Sequence, residues 1–422
     1  MLEQATVQGL GRLHQAVTRH RIAVLVAGSI AAVAGVIAYL SLRHHTVARL
    51  LLALGIGKVP LHDYRAFFYP MGAVVLSNPQ PLDGFLYSPM AALFFAPFAA
   101  LPYSASAWIW AAVLLLLTGS LVWESVRPIR QHGWLVVLVV GVAASSMPVL
   151  HNHKFGQVSL LLVVPLLLCV RLYERGRPTL AAACLMFSAA FKFYPALFLF
   201  YFVFKRDYRF LVAAAGFGLL FLVVLPAIAI GPVDTLRFYQ DVARQIDARF
   251  GGQIADKNSQ SFLSLAERLL FQKAHLDTGT WLPALKGLRY ACCAALLVVV
   301  YRLARSARPD ATRWAFLWLF AASPFFVVTS WPHYFVYLPA IVAATLGWVA
   351  DNRAAPRATR ALIATASLGA AALSSMFLFD LIGDRHAYSW WGFVFLADLL
   401  ALAALALTLL AQRRQPPIAD PA

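Results

Sequence analysis

Apolar runs of about 20 residues recur along this chain, and the basic residues between them gather on alternate connections. A helix rises about 1.5 Å per residue, so such a run crosses the roughly 30 Å hydrocarbon core of a bilayer. Inside that core the backbone has to satisfy its own hydrogen bonds, which a helix does within one segment. Of the 422 residues, 61% are hydrophobic and 13% are charged. An average soluble domain carries about 25% charged residues. The chain therefore reads as an all-α polytopic membrane protein, with its core inside the bilayer.

The basic clusters set the orientation. They are Arg12, Arg19 and Arg21; Arg127 and Arg130; Arg171, Arg175 and Arg177; and Lys205, Arg206 and Arg209. Further along come Arg302, Arg305, Arg308 and Arg313; Arg353, Arg357 and Arg360; and Arg413 with Arg414. Placing all of them in the cytoplasm satisfies the positive-inside rule. It gives about twelve spans, near 22–42, 104–124, 133–150, 157–172, 178–190, 195–204, 209–231, 284–304, 311–330, 334–350, 359–380 and 390–411. The expected organisation is a cytoplasmic segment 1–21, a membrane domain 22–411 with external loops 43–103 and 232–283, and a cytoplasmic tail 412–422. The run from Ile22 to Leu42 is too long for a typical signal-peptide core and reads as an uncleaved anchor. This capping explains most of the net charge of +17. No basic face with interleaved aromatics lies outside the membrane, so nucleic acid is not an expected partner.

Cys169, Cys184, Cys292 and Cys293 fall within apolar spans without zinc-ligand spacing, so neither disulfides nor a cysteine metal site is expected. The Pro89–Leu101 run is too short to cross upright and reads as a helix lying against the external face. Gly55-Ile56-Gly57-Lys58 lacks the glycine spacing and the hydroxyl residue of a phosphate-binding loop.

This topology sends the unusual polar residues to one face. The external side receives His62 and Asp63, Asp83, His151-Asn152-His153-Lys154, Gln157, Lys192, Tyr194, Asn258-Ser259-Gln260-Ser261 and Trp331-Pro332-His333-Tyr334. A carboxylate beside a span is costly unless hydrated, paired or functional. Asp63 is thus either a solvated loop carboxylate or a general base that activates an acceptor hydroxyl. His62 orients it or is an ordinary interfacial histidine. Asp83, in the turn Pro81-Leu82-Asp83-Gly84, is the second acid to consider. Lys154 and Lys192 either snorkel to the headgroups or neutralise a departing phosphate. His333, between Trp331 and Tyr334, is an interfacial histidine or a phosphate ligand, with the aromatic rings available to stack on sugar or lipid. His62, Asp63, His151, His153 and His333 are also a conceivable metal set, but nothing in their spacing fixes a geometry.

These motifs, in this order, resemble glycosyltransferase family 87. Asp63-Tyr64 follows the first span, and Tyr87-Ser88-Pro89 opens an apolar helix that ends in Leu101-Pro102. Gly156-Gln157, Lys192-Phe193-Tyr194-Pro195, Asn258-Ser259-Gln260-Ser261 with Glu267-Arg268-Leu269, and Ser323-Pro324 before Ser330-Trp331-Pro332-His333-Tyr334 complete the set. The resemblance covers most of Leu61 to Pro339. It implies the GT-C fold, with external juxtamembrane helices in the first loop and an active site facing the exterior or periplasm of the cell (inner) membrane. It implies a polyprenyl-phosphate sugar donor, most simply mannose, a lipid or glycan acceptor, and single inverting displacement. Asp63 matches the base and His333 the ligand of the donor phosphate. Lys192 and Lys154 would assist at the phosphate. Tyr64, Tyr87, Gln157, Tyr194, Asn258, Trp331 and Tyr334 would line the sugar and acceptor site. Tyr-Arg-Ala follows Asp63 with no second acid, so neither metal nor cofactor is expected.

Two other readings compete. A carrier of polyprenyl-linked sugars would use repeat-related halves and a midplane site, but no repeat is visible. An oligosaccharide ligase or polymerase would work from the 232–283 loop and tolerate substitution of Asp63.

Overall fold

The computed structural model describes residues 24–43, 61–250 and 258–413. Arg12, Arg19, Arg21, the segment Gly55-Ile56-Gly57-Lys58, Arg414 and the tail from 415 lie outside the described residues.

The described chain is helical, with one isolated bridge between Ser146 and Ser375. Helix α1 (24–43) stands before the first loop, where a π-helical turn at Tyr64–Phe68 runs into α2 (Tyr69–Val74). Then come α3 (Pro89–Ala99), α4 (Tyr103–Val126), α5 (Gly133–Ser145), α6 (Met147–Phe155), α7 (Ser159–Glu174) and α8 (Pro178–Phe191). A 3-10 turn at Tyr194–Phe198 opens α9 (Leu199–Lys205), followed by α10 (Tyr208–Leu219), α11 (Leu225–Ile230) and α12 (Pro232–Phe250). The remainder is α13 (Phe262–Glu267), α14 (Thr278–Ala304), α15 (Ala311–Phe326), a 3-10 turn at Pro332–Phe335, α16 (Leu338–Asp351), α17 (Arg357–Leu373), α18 (Met376–Ile382), α19 (Arg385–Trp390) and α20 (Phe393–Arg413).

Among the described residues, six helical segments are long and apolar enough to cross a membrane: 24–43, 103–129, 208–230, 278–304, 332–351 and 393–413. That is fewer than the twelve spans expected. The other apolar stretches are interrupted. Helix α7 has 16 residues with Pro165 inside it, and α15 has 16 with Pro324 near its end. Proline lacks an N–H and crowds the preceding turn, which shortens or bends the helix around it. The Lys192 hairpin divides another apolar stretch into α8, a 3-10 turn and α9. The Pro89 helix is short, as expected, and ends at Ala99.

Ion pairs tie one end of the bundle. Arg171 donates to the buried Glu124 at 2.6 Å, Arg127 lies 3.6 Å from the same carboxylate, and Arg313 meets Glu174 at 3.0 Å. These residues sit at the C-termini of α4 and α7 and the N-terminus of α15. At the opposite end of α7, about 24 Å away at 1.5 Å per residue, lie the connections that carry the expected site residues. The first loop docks there through close backbone contact: a Cβ on Gly72 would fall 2.6 Å from the Phe95 backbone, so α2 and α3 pack with no side chain between them.

Candidate active site

A cavity of about 680 Å³ opens between the first loop, α6, the Lys192 hairpin and the turn before α16. Its walls include Asp63, Tyr87, Lys154, Gln157, Lys192, Tyr194, Asn258, Trp331, His333 and Tyr334, together with His62 and His151. Residues spread over some 270 positions of sequence are thereby brought to one place.

The α6–α7 turn builds the first wall. Gly156 ends α6 with φ +67, the left-handed region where glycine carries no steric penalty. Trp110 Nε1 donates to the Gly156 carbonyl at 2.9 Å. A Cβ at this position would lie 2.8 Å from Tyr64 Cβ and 3.1 Å from Leu61 Cβ, so the first loop rests directly on the glycine. Asn152 Oδ1 accepts from Ser159 N at 3.1 Å and caps α7. That docking sets Gln157 beside Asp63.

Asp63 is held on both carboxylate oxygens. Gln157 Nε2 donates to Oδ2 at 2.5 Å, and His62 Nδ1 lies 2.9 Å from Oδ1. Tyr87 OH donates to Gln157 Oε1 at 3.0 Å, which turns the amide so that its NH₂ faces the carboxylate. Lys192 Nζ in turn reaches Tyr87 OH at 3.5 Å. A continuous chain of polar contacts thus links the lysine to the carboxylate.

Tyr87 is positioned by the residues after it. Ser88 accepts from Ala91 N as the N-cap of α3, and its hydroxyl donates to the Ala190 carbonyl near the end of α8. The Tyr-Ser-Pro motif thereby fastens the first loop beside Lys192. The Lys192 ammonium lies over three rings, at 4.1 Å from Tyr334, 4.7 Å from Tyr87 and 5.8 Å from Trp331. Tyr194 stacks on Tyr334 at 5.6 Å and 13°. Aromatic faces stabilise a cation in a dry site. Burial still pushes the Lys192 amine down to about 7, against the nearby Asp63 carboxylate, which raises it.

The His333 turn is braced from outside the cavity. Gln260 N donates to the Ser330 carbonyl at 2.5 Å, Ser330 N donates to Ser259 Oγ at 3.1 Å, and Ser261 Oγ donates to the Val328 carbonyl at 2.6 Å. The wholly buried Arg268 donates to the Ser259 carbonyl at 2.7 Å and to the Trp390 and Ser389 carbonyls at 3.1 and 3.3 Å. The Asn258–Ser261 motif is consequently scaffold for the turn before α16, and its first residue alone lines the cavity. One helical turn beyond His333, Tyr337 OH donates to the buried Asp398 at 2.9 Å and ties this region to α20.

Several expected site residues sit elsewhere. Tyr64 points into the core, stacked on Trp110 at 5.9 Å with its hydroxyl 2.5 Å from Ser106 Oγ, and is absent from the cavity wall. His153 turns to Thr118 at 2.8 Å. Asp83 is exposed, and its turn is gripped by Gln245, which accepts from Gly84 N at 3.1 Å and donates to the Pro81 carbonyl at 3.2 Å. Lys154 does line the cavity, but as an exposed residue at its rim, 5.7 Å from the Phe155 ring centroid. The structure adds a wall without a sequence motif: His386, Tyr388 and Ser389 of α19.

No solved structure matches this chain. Two curated relatives share the name polyprenol-phosphate-mannose-dependent alpha-(1-2)-phosphatidylinositol mannoside mannosyltransferase. The one from Mycolicibacterium smegmatis (strain ATCC 700084 / mc(2)155) is 26% identical over 308 residues, 68% of this chain and 65% of that protein. The match therefore spans slightly less than two thirds of that relative's length. The one from Mycobacterium tuberculosis (strain ATCC 25618 / H37Rv) is 27% identical over 358 residues, 76% of this chain and 78% of that protein. The family model described as Glycosyltransferase family 87 matches residues 85–330, so Asp63 lies before the matched stretch and the Trp331–Tyr334 turn directly after it. With that match covering more than half of its length, the chain belongs to glycosyltransferase family 87.

Proposed function

We propose that this membrane glycosyltransferase moves a hexose, most simply mannose, from a polyprenyl-phosphate donor to a hydroxyl of a lipid or glycan acceptor. The observation that carries the reading is one cavity with a hydrogen-bonded carboxylate in one wall and a caged lysine with a buried histidine in another. The relatives' names add the donor class and, as an acceptor class, a phosphatidylinositol mannoside.

Asp63 removes the acceptor hydroxyl proton as that oxygen forms its bond to the anomeric carbon. The bond from the anomeric carbon to the phosphate oxygen breaks, and polyprenyl phosphate leaves from the opposite face. Attack and departure on opposite faces invert the anomeric centre. The transition state has oxocarbenium character by analogy with glycosidases. Fixed charge therefore matters more than covalent assistance. Lys192 and His333 take the phosphate, with Lys154 at the rim. Tyr87 and Gln157 act on Asp63, while Trp331, Tyr334, Tyr194 and Asn258 border sugar and acceptor. Tyr64 contributes from behind, by fixing the loop that bears Asp63.

The ion-paired arginine end lies opposite the cavity, which supports an external or periplasmic site under the positive-inside rule. The test is transfer from radiolabelled polyprenyl-phosphate-mannose to membrane lipids by wild type and Asp63→Asn. A fall of about 10²–10⁴-fold in a folded variant is expected for loss of a general base. Unchanged transfer would remove Asp63 from catalysis, and label that crosses the membrane without covalent transfer would favour the carrier.

A further inference from the structure

His151 and His333, 182 positions apart, meet through their Nδ1 atoms at 3.3 Å, with ring centroids 5.3 Å apart and planes within 20°. Two such nitrogens cannot both present a proton to each other. One supplies N–H and the other a lone pair, and the direction of that bond fixes the tautomer of both rings. If His333 donates, its Nε2 is a bare lone pair. If His151 donates, His333 Nε2 carries the proton.

The two arrangements differ in what they leave on the buried ring. His333 is 2% exposed, and its Nε2 is buried with no hydrogen-bond partner among the described residues, although the residue forms part of the cavity wall. His151 is partly buried and His333 wholly so, and donation by His151 leaves the bare Nε2 lone pair on the less buried of the two residues. Its ring is fixed by stacking on Phe155 at 4.3 Å and 25°. Burial and nearby Lys154 pull the His151 imidazole down to about 3, so it is neutral at ordinary pH and has a single proton to place. An anion brought to His333 is met by an N–H in one arrangement and by a lone pair in the other.

We propose that His151 is a positioning residue: its Nδ1–H donates to His333 Nδ1 and keeps the His333 proton on Nε2, where it donates to a phosphate oxygen of the sugar donor. The choice of tautomer and the role at phosphate both rest on the function proposed above; the contact between the two rings does not. Nitrogens at this spacing also suit two ligands of one metal ion. Among the described residues, however, no group of three His, Cys, Asp or Glu side chains forms a metal cluster.

The test uses full-length protein labelled with ¹⁵N-histidine, and long-range ¹H–¹⁵N correlation to read each tautomer, assigned by difference from His151→Asn and His333→Gln. The expected result is Nε2–H on His333 and Nδ1–H on His151. His151→Asn supplies an amide N–H at the place of Nδ1 and should keep the His333 tautomer and a donor KM within about threefold of wild type. His151→Leu fills the space without donating and should mix the tautomers and raise donor KM about tenfold, with melting temperature little changed. Nδ1–H on His333 in wild type would overturn the proposal, as would equal losses in the Asn and Leu variants. Inactivation by a chelator with recovery on adding a divalent metal would also overturn it, in favour of shared ligation. If wild type transfers nothing from polyprenyl-phosphate-mannose, or His333→Gln is fully active, the phosphate reading fails, and the labelled spectra still decide the tautomer.

Discussion

Gln157 and Asp63 lie 94 positions apart, and the amide of the first donates to the carboxylate of the second at 2.5 Å. The contact directs one oxygen of the base. Tyr87, through its bond to Gln157 Oε1, decides which end of the amide faces Asp63.

Gln157→Leu should therefore lower kcat about 10- to 100-fold with donor KM little changed, because a base loses efficiency when its orientation is lost. Tyr87→Phe should act in the same direction and less strongly. Steady-state kinetics at saturating donor and acceptor checks both. A rise in donor KM alone would instead make these residues sugar ligands.

Lys192 gives a pH dependence of defined sign. Its amine is held down near 7, so the free enzyme loses the cation as pH rises through that value. Donor KM should be flat on the acid side and then climb towards about tenfold per pH unit. Lys192→Arg keeps its charge across this range and should flatten the climb, whatever it costs in absolute rate. A KM–pH profile of both proteins decides, and identical slopes would remove Lys192 from donor binding.

Gly156→Ala should destabilise the protein. Left-handed backbone costs a residue with a Cβ about 1–2 kcal/mol, and here the added carbon also meets Tyr64 Cβ at 2.8 Å. A lower melting temperature is expected, with transfer falling because the loop bearing Asp63 is displaced. Full activity with unchanged melting would show that the first loop tolerates the extra carbon.

Glu267 is 2% exposed with neither carboxylate oxygen hydrogen-bonded among the described residues, and burial pushes its carboxyl up to about 7 against the lowering effect of Lys286 and Arg268. A raised carboxyl stabilises the fold below its unfolded value near 4.5, and that contribution is lost as pH rises towards 7. Glu267→Gln should thus stabilise by about 2 kcal/mol above pH 7 and little at pH 5, since a buried charge without hydrogen bonds is costly. Melting curves at both pH values test this; a destabilised variant at pH 8 would show that the carboxylate has a partner.

The apolar runs made the helices legible, because the bilayer imposes their length and composition. Asp63, Lys192 and His333 were legible for the same reason: each interrupts or borders apolar sequence where a polar side chain is expensive. What they touch was not legible, since hydrogen bonds across 94 or 182 positions leave no local pattern. Tyr64 stands next to Asp63 yet faces Trp110, because the π-helical turn it opens carries its ring into the core. Of the Asn258–Ser261 motif only Asn258 was expected at the substrate, and what the serines do was not legible: their hydroxyls are taken up by the turn they brace. The α19 wall carried no signal, because its residues lay in a short connection between two expected spans.

The ring cage around Lys192 has a consequence for how a cycle ends. Among the described residues, no carboxylate lies within ion-pair distance of this lysine; aromatic faces surround it instead. In the proposed reaction Asp63 acquires a proton and becomes neutral, while the phosphodiester of the donor becomes a monoester with one more negative charge. The attraction between cavity and phosphate is then strongest after the sugar has gone. Spent polyprenyl phosphate would be held more tightly than fresh donor, and its departure into the lipid would pace turnover.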